Sequence, residues 1–271
     1  MFQLQVLNKM RNCFRLLATG FILCCFQLTL PAQSKGMKGF LEKRKQLKQQ
    51  RIAAGQPFLS PMIGPGYTPD AGLLFALGGL LTFKTDSNDS LIQRSSLPVT
   101  FVVSTRGNLS FGAKLKSFWN EDKLRINVLA ALSDAKDDYF GVGYQSAEEI
   151  PKSDTTTLYQ RQVWAFNPEF LYRLLPNLYG GLMIDLNQTK AVETNPVMEQ
   201  DPAFIEFGPD NFNAGVGITF QYDSRDIVVN AWKGFFANVA ATFYMPEIGS
   251  DNQYQILLLD LRHYRQLDRK G

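Results

Sequence analysis

The chain of 271 residues has one histidine, and its three cysteines all lie in one early segment: Cys13, Cys24 and Cys25. So little His and Cys excludes a metal site built from those ligands. A body without cysteine also excludes the disulfide framework that small exported domains rely on. Long apolar runs are scarce, with only 16–30 dense enough in Leu, Ile and Phe to enter a bilayer as a helix. With 20% charged residues and a mean hydropathy of −0.14, a helical membrane bundle is excluded. Aromatics are not scarce: 21 Phe and 10 Tyr exclude a disordered chain. The length fits one large domain or two small ones.

The first segment reads as an address. Lys9, Arg11 and Arg15 precede the apolar run 16–30, and Pro31-Ala32 offers a small residue for cleavage before Gln33. This is the layout of a secretory signal peptide over 1–32, and the run is shorter than the ~20 residues a spanning helix needs. Cys24 and Cys25 sit inside the run without a small residue just before them, which speaks against lipidation. Residues 33–60 follow as a basic linker or short helix. In 33–56, Lys35, Lys38, Lys43, Arg44, Lys45, Lys48 and Arg51 stand against Glu42 alone. Such an arm could rest on an anionic membrane surface or dock on an outer-membrane or periplasmic protein. No nucleic-acid partner is expected of an exported chain.

From residue 71 onward the period-2 pattern of strands prevails over the helical period. Leu73, Phe75, Leu77, Leu81 and Phe83 share one face, as do Leu97, Val99, Phe101 and Val103. Leu109, Phe111, Ala113, Leu115 and Trp119 alternate with Lys114 and Lys116. Leu124, Ile126, Val128, Ala130 and Leu132 alternate with Arg125 and Asn127. The second half repeats this. Trp164, Phe166, Phe170 and Tyr172 oppose Arg161, Glu169 and Arg173; Leu182, Ile184 and Leu186 oppose Tyr179 and Asp185. Val216, Ile218, Phe220 and Tyr222 oppose Thr219, Gln221 and Asp223; Phe235, Val239 and Phe243 oppose Asn238 and Thr242; Leu257, Leu259 and Leu261 oppose Asp260 and Arg262.

Strand length separates the classes. Soluble strands are usually about 5–6 residues long, whereas bilayer-crossing strands need about 9–11. The polar faces carry Lys, Arg, Asp and Glu in mid-strand, which suits a wet lumen and leaves the apolar faces for lipid. The expected fold is all-β: an antiparallel up-and-down transmembrane β-barrel over 61–271, with about nine or ten strands. The other candidate is a large soluble β-sandwich with long strands. Closure pairs every backbone group and removes the edges, which answers the lack of disulfides. Trp119, Trp164, Tyr172, Tyr222, Tyr244 and Tyr254 are expected in interfacial girdles. Short turns at 105–107, 120–122 and 175–177 are expected on one side, and long loops at 86–96, 134–157 and 189–211 on the other.

Specific residues carry a family resemblance. Tyr222-Asp223-Ser224-Arg225-Asp226 ends one strand, Gly234-Phe235-Phe236 opens the next, and Asp260-Leu261-Arg262-His263-Tyr264 closes the following one. Upstream, Tyr139-Phe140-Gly141-Val142-Gly143 follows Asp137-Asp138. This pattern resembles the bacterial surface antigen family, the BamA/TamA-like outer-membrane assembly superfamily, over most of 60–267. The resemblance implies an outer-membrane barrel acting in protein or lipid transport or assembly at the bacterial outer membrane, with outer-membrane lipid around it. It implies no enzyme, cofactor or metal. The family's barrels have more strands and carry periplasmic repeat domains ahead of them. The expectation is therefore the N-terminal part of a longer barrel. A strand unread in 56–70 or 192–212, or closure by another subunit, would also answer an odd strand count.

The site expected is a structural turn made by Tyr222, Asp223, Arg225, Asp226 and Gly234. Asp223 and Asp226 can accept from turn N–H groups. Arg225 can pair with either carboxylate or with a lipid phosphate. Gly234 relieves crowding where the chain re-enters the sheet. Catalytic residues are not expected: His263 sits on an outward register, and Glu148-Glu149 and Asp137-Asp138 read as solvated loop pairs. Lys114, Lys116, Arg125, Arg161 and Arg173 would face the lumen, either favouring anions or paired with Asp185, Glu169 and Asp260. The alternative functions are a lipid-acting barrel enzyme and a structural or adhesion barrel.

Overall fold

The alternation becomes one ten-stranded antiparallel meander in strict sequence order. The computed structural model describes residues 34–86, 92–228 and 230–266. The signal peptide expected over 1–32 lies outside the described residues. Helix α1 (Ser34–Ala53) forms from the basic segment. Through residue 50 it belongs to one compact unit, and the sheet belongs to the other, 51–271. Residues 42–52 of α1 are exposed on every side. The consecutive Lys43, Arg44 and Lys45 spread charge around its circumference, so it has no apolar face to bury. No helix among the described residues is long and apolar enough to cross a membrane.

The strands are β1 (Phe58–Thr68), β2 (Gly72–Phe83), β3 (Ser95–Ser104), β4 (Leu109–Trp119), β5 (Leu124–Asp138), β6 (Leu158–Leu175), β7 (Leu178–Glu193), β8 (Asp210–Asp223), β9 (Gly234–Tyr244) and β10 (Tyr254–Tyr264). Strand β1 lies in the doubtful stretch 56–70. Pro61, Gly64, Pro65 and Gly66 hide its alternation, and Pro in a strand is tolerated at an edge, which is where β1 lies. Residues 192–212 supply no extra strand. The preceding loop holds α2 (Tyr144–Glu149), and the connection within 192–212 holds α3 (Pro196–Gln200) and α4 (Pro202–Phe207).

Register puts the predicted faces together. Phe75 pairs with Val103, Leu77 with Phe101, and Phe101 with Phe111. The apolar faces thus form one continuous exterior, on which Leu182 is 66% exposed and Leu257 75%. On the opposite face Thr219, Gln221, Asp223 and Thr242 are buried. The sheet is strongly coiled. Arg125 on β5 touches Asp223 on β8 at 2.9 Å, whereas three strand spacings in a flat sheet would hold them about 14 Å apart. Among the described residues β1 and β10 each have one neighbour, so the coil ends in two free edges.

Chain order fixes two ends. β1 starts and β10 finishes at the terminal end, with connections 84–94, 120–123, 176–177 and 224–233. The distal end carries 69–71, 105–108, 139–157, 194–209 and 245–253. The expected division into short turns on one side and long loops on the other does not hold. The turn near 105–107 shares the distal end with the long loops, and 84–94 joins the short turns, because strand parity alone decides the side. The long distal loops are also shorter than expected. β5 to β8 have 15, 18, 16 and 14 residues, continuing as polar ladders in which Gln162 meets Asp134 and Lys190 meets Asp210.

Aromatic girdles are present in part. Trp119, Tyr172 and Tyr222 are exposed on the exterior near the terminal end. Trp164 lies outside toward the distal end, donating to Gln188 at 2.7 Å beside Phe212. Trp164 and Tyr172 are eight residues apart on β6, about 27 Å of strand. Tyr244 and Tyr254 depart from the expectation. They face inward, with Tyr244 buried and the two rings stacked at 4.1 Å; the bulge-free pairing of β9 with β10 places both on the inner register.

Candidate functional site

The terminal end of the interior is organised around Arg125. Its position follows from alternation on β5, and its partners come from the turn before it. Asn120, Glu121 and Asp122 all have positive φ, 52°, 55° and 62°. Three left-handed non-glycine residues in a row are sparsely populated, and they turn Asp122 back onto Arg125. The guanidinium binds Asp122 through two parallel bonds, Nε to Oδ1 and Nη2 to Oδ2, both 2.7 Å. This planar fork-to-fork geometry is the strongest that Arg and carboxylate make.

Arg125 Nη1 reaches Asp223 Oδ2 at 2.9 Å, and Nη2 reaches the Tyr179 hydroxyl at 2.9 Å. Tyr179 donates onward to Asp122 at 2.7 Å. The Arg125 guanidinium also sits 3.8 Å from the centre of the Tyr179 ring and 5.3 Å from that of Phe118. Burial is nearly complete, with Arg125 side-chain exposure 5% and Asp223 1%. Charges so desolvated persist only when paired on all sides.

Asp223 joins this cluster to the turn expected from the sequence. It accepts from Arg225 Nε at 2.7 Å and Nη2 at 3.0 Å. Arg225 Nη1 donates to the Val228 carbonyl at 3.1 Å, and the guanidinium lies over the Phe236 ring. Of the two expected partners, Arg225 takes the carboxylate. Asp226 gathers the 224–233 connection, its Oδ1 accepting from the backbone of Ile227, Trp232 and Lys233 at 3.0, 3.0 and 3.3 Å. Burial pushes that carboxyl up, but these three donors win and hold it below the usual carboxylate range.

Gly234 has φ +117°, and a Cβ there would collide with the Ser224 carbonyl oxygen and lie 2.7 Å from Arg225 Cα. Only glycine fits this re-entry. Tyr222 is placed apart from the others, on the exterior, 6.3 Å from Phe235.

Several residues of this end were not legible as a site. Val228, Phe118 and Ile92 form a small buried apolar cluster, and the Val228 N–H donates to Gln93 Oε1 at 3.3 Å. Phe118 is further tied by its N–H to Ser95 Oγ at 3.1 Å and by its carbonyl to Thr85. Ile92 and Gln93 of one connection and Val228 of another therefore meet beside Phe118 at the terminal end. The only sequence signal was that Phe118 shares the inner face with Lys114 and Lys116.

The distal loops interlock separately. Asp201 accepts from the Tyr139 hydroxyl at 2.9 Å, Val142 N–H at 3.1 Å and Ala203 N–H at 2.8 Å. Asn195 caps α3 at Met198 N–H and donates to the Thr157 carbonyl. Lys152 bridges Asp138 and Asp70 at 2.7 and 2.5 Å, and these bonds raise its pKa. Asp137 pairs with Arg161 at 3.0 Å. Asp138 is thus only 10% exposed in its pair with Lys152, while Asp137 stays 46% exposed in its pair with Arg161.

His263 is exposed at the outward register of the edge strand β10. Among the described residues no group of three or more His, Cys, Asp or Glu is placed to hold a metal. What the buried network can do is mechanical. It locks three terminal connections and three strands into one rigid floor.

No protein-family model matches the sequence, and a search of curated proteins finds no match. In structure the chain is similar to BamA from Haemophilus ducreyi lacking POTRA domains 1–3, with a TM-score of 0.43 and 12% sequence identity. The match covers 82% of this chain and 45% of that one, so the chain spans less than half the length of that structure.

Proposed function

We propose that this chain is an outer-membrane β-barrel protein of the surface antigen type, non-enzymatic, serving protein or lipid transport or assembly at the bacterial outer membrane. The observation that carries this reading is the inverted distribution of polarity. Leu182, Phe220, Leu257 and Leu259 are more than half exposed on the outside, while Asp223 and Arg125 are buried on the inside. In water this would be a very large exposed apolar patch; in a bilayer it is solvated by acyl chains. The strand lengths and the flanking Trp and Tyr support the same environment.

In this reading the wall is gated or opens laterally at the free β1 edge. Pro61 and Pro65 lack N–H donors, which keeps the β1 edge from zipping completely.

The test is a heat-modifiability gel on protein from an outer-membrane fraction, boiled beside unboiled. A mobility shift with outer-membrane fractionation supports the reading. Absence of both a shift and membrane association overturns it and favours the soluble sandwich. The boiled band also reports whether the folded unit is heavier than these residues.

A further inference from the structure

The interior wall has a charge imbalance. Each carboxylate near the floor is taken. Asp122 is held by Arg125, Asp223 by Arg125 and Arg225, Asp260 by Arg262 at 2.5 Å, and Glu169 by the amide of Asn127 at 2.7 Å. Lys114 and Lys116 have no such partner among the described residues. They occupy the same inner face of β4, one exposed to the interior and one half-buried. Register sets Lys116 between Ser96 of β3 and Asn127 of β5. Across the coil it lies within electrostatic reach of Arg225, Arg262 and Asp223 as well as Lys114. Those two arginines share the Phe236 ring, 4.4 and 5.5 Å from its centre.

Two ammonium groups therefore stand on the inner wall without an ion pair of their own among the described residues, beside Arg225 and Arg262 and the already paired Asp223 and Asp260. Cations clustered on one wall attract a counter-charge. Their backbones are about 7 Å apart along the strand, so two flexible side chains can converge on one ligand that offers several acceptor oxygens. Such oxyanions receive charge-assisted hydrogen bonds from lysine readily. We infer that Lys114 and Lys116 form an oxyanion site on the inner wall, taking a phosphate group as free phosphate or as a lipid headgroup.

The inference rests on the barrel reading, because it needs a wet interior, but its test is separate from the mobility shift. The full chain, folded in detergent micelles, is acetylated with an amine-reactive ester, and modification of each lysine is followed by peptide mass spectrometry. Inorganic phosphate is compared with chloride at equal ionic strength, and micelles doped with phosphatidylglycerol with those doped with phosphatidylcholine. Expected is severalfold slower labelling of Lys114 and Lys116 in phosphate, with Lys123 on the exposed 120–123 turn unchanged. Protection by phosphatidylglycerol alone assigns a headgroup instead of free phosphate. Equal labelling in every condition, or equal protection by chloride, overturns the site. Loss of protection with the mobility shift intact removes this inference alone; loss of the shift removes the barrel reading.

Discussion

Arg125 and Asp223 are 98 residues apart in sequence and meet at 2.9 Å, with two whole strands between them in the sheet. Their contact measures the coil of the sheet at its terminal end. Replacing Arg125 by Ala leaves Asp122 and Asp223 buried without their common partner. The expected cost is about 3–5 kcal/mol, read as a lower urea midpoint for the heat-modifiable band. Arg125→Lys should recover little, since an ammonium cannot supply the two-pronged geometry. A midpoint unchanged in Arg125→Ala would show that the network bears no stability.

The exterior offers a test that separates lipid from water. Ile218 is 49% exposed in the middle of β8. In a soluble protein Ile218→Arg on such a surface would change stability by less than about 0.5 kcal/mol. Facing a bilayer, the same change should cost about 2–4 kcal/mol. Refolding into vesicles, compared between wild type and variant, distinguishes the two.

Gly234 and Gly107 both have positive φ, +117° and +86°. At Gly107 an added methyl carbon would meet nothing within 4 Å, whereas at Gly234 the Ser224 carbonyl blocks it. Gly107→Ala should therefore cost only the left-handed backbone, about 1–2 kcal/mol. Gly234→Ala should cost clearly more, because the β8–β9 connection must also shift. Equal midpoints for the two variants would contradict the crowding at Gly234.

The Tyr139–Asp201 clasp should respond to pH at both extremes. Burial, then the bond to Asp201, pushes the Tyr139 hydroxyl up to about 12 from 10.0. Its contribution is complete below pH 10 and fades as pH rises through about 12. The bond from Tyr139, with backbone donors, holds Asp201 below 3.8 against a smaller opposing effect of burial. That contribution is complete above pH 3.8 and fades as pH falls through the lowered value. Exchange of the Val142 amide hydrogen should accelerate in Tyr139→Phe and in Asp201→Asn while the strands stay protected. Unchanged exchange in both variants would show that the clasp does not order the loop.

Much of this architecture was legible in the residues alone. Alternation of Leu182, Ile184 and Leu186 with Tyr179 and Asp185 assigned strand and face together, because side chains on a pleated strand alternate by geometry. The turn residues Asp223, Arg225, Asp226 and Gly234 could be picked out because turn chemistry is local. β1 was hidden, since Pro61 and Pro65 read as breakers until the partner strand β2 is seen. Loop sidedness was misread at 84–94 and 105–108 because loop length was taken to mark the side, whereas consecutive connections of a meander must alternate. The floor could not be read from sequence at all. Asp122 and Arg125 are close in sequence, but Tyr179 and Asp223 come from distant stretches of the chain, and so do Ile92 and Val228 relative to Phe118. Local sequence sets which face a side chain takes; only the coiling of the whole sheet decides which distant residues that face then meets.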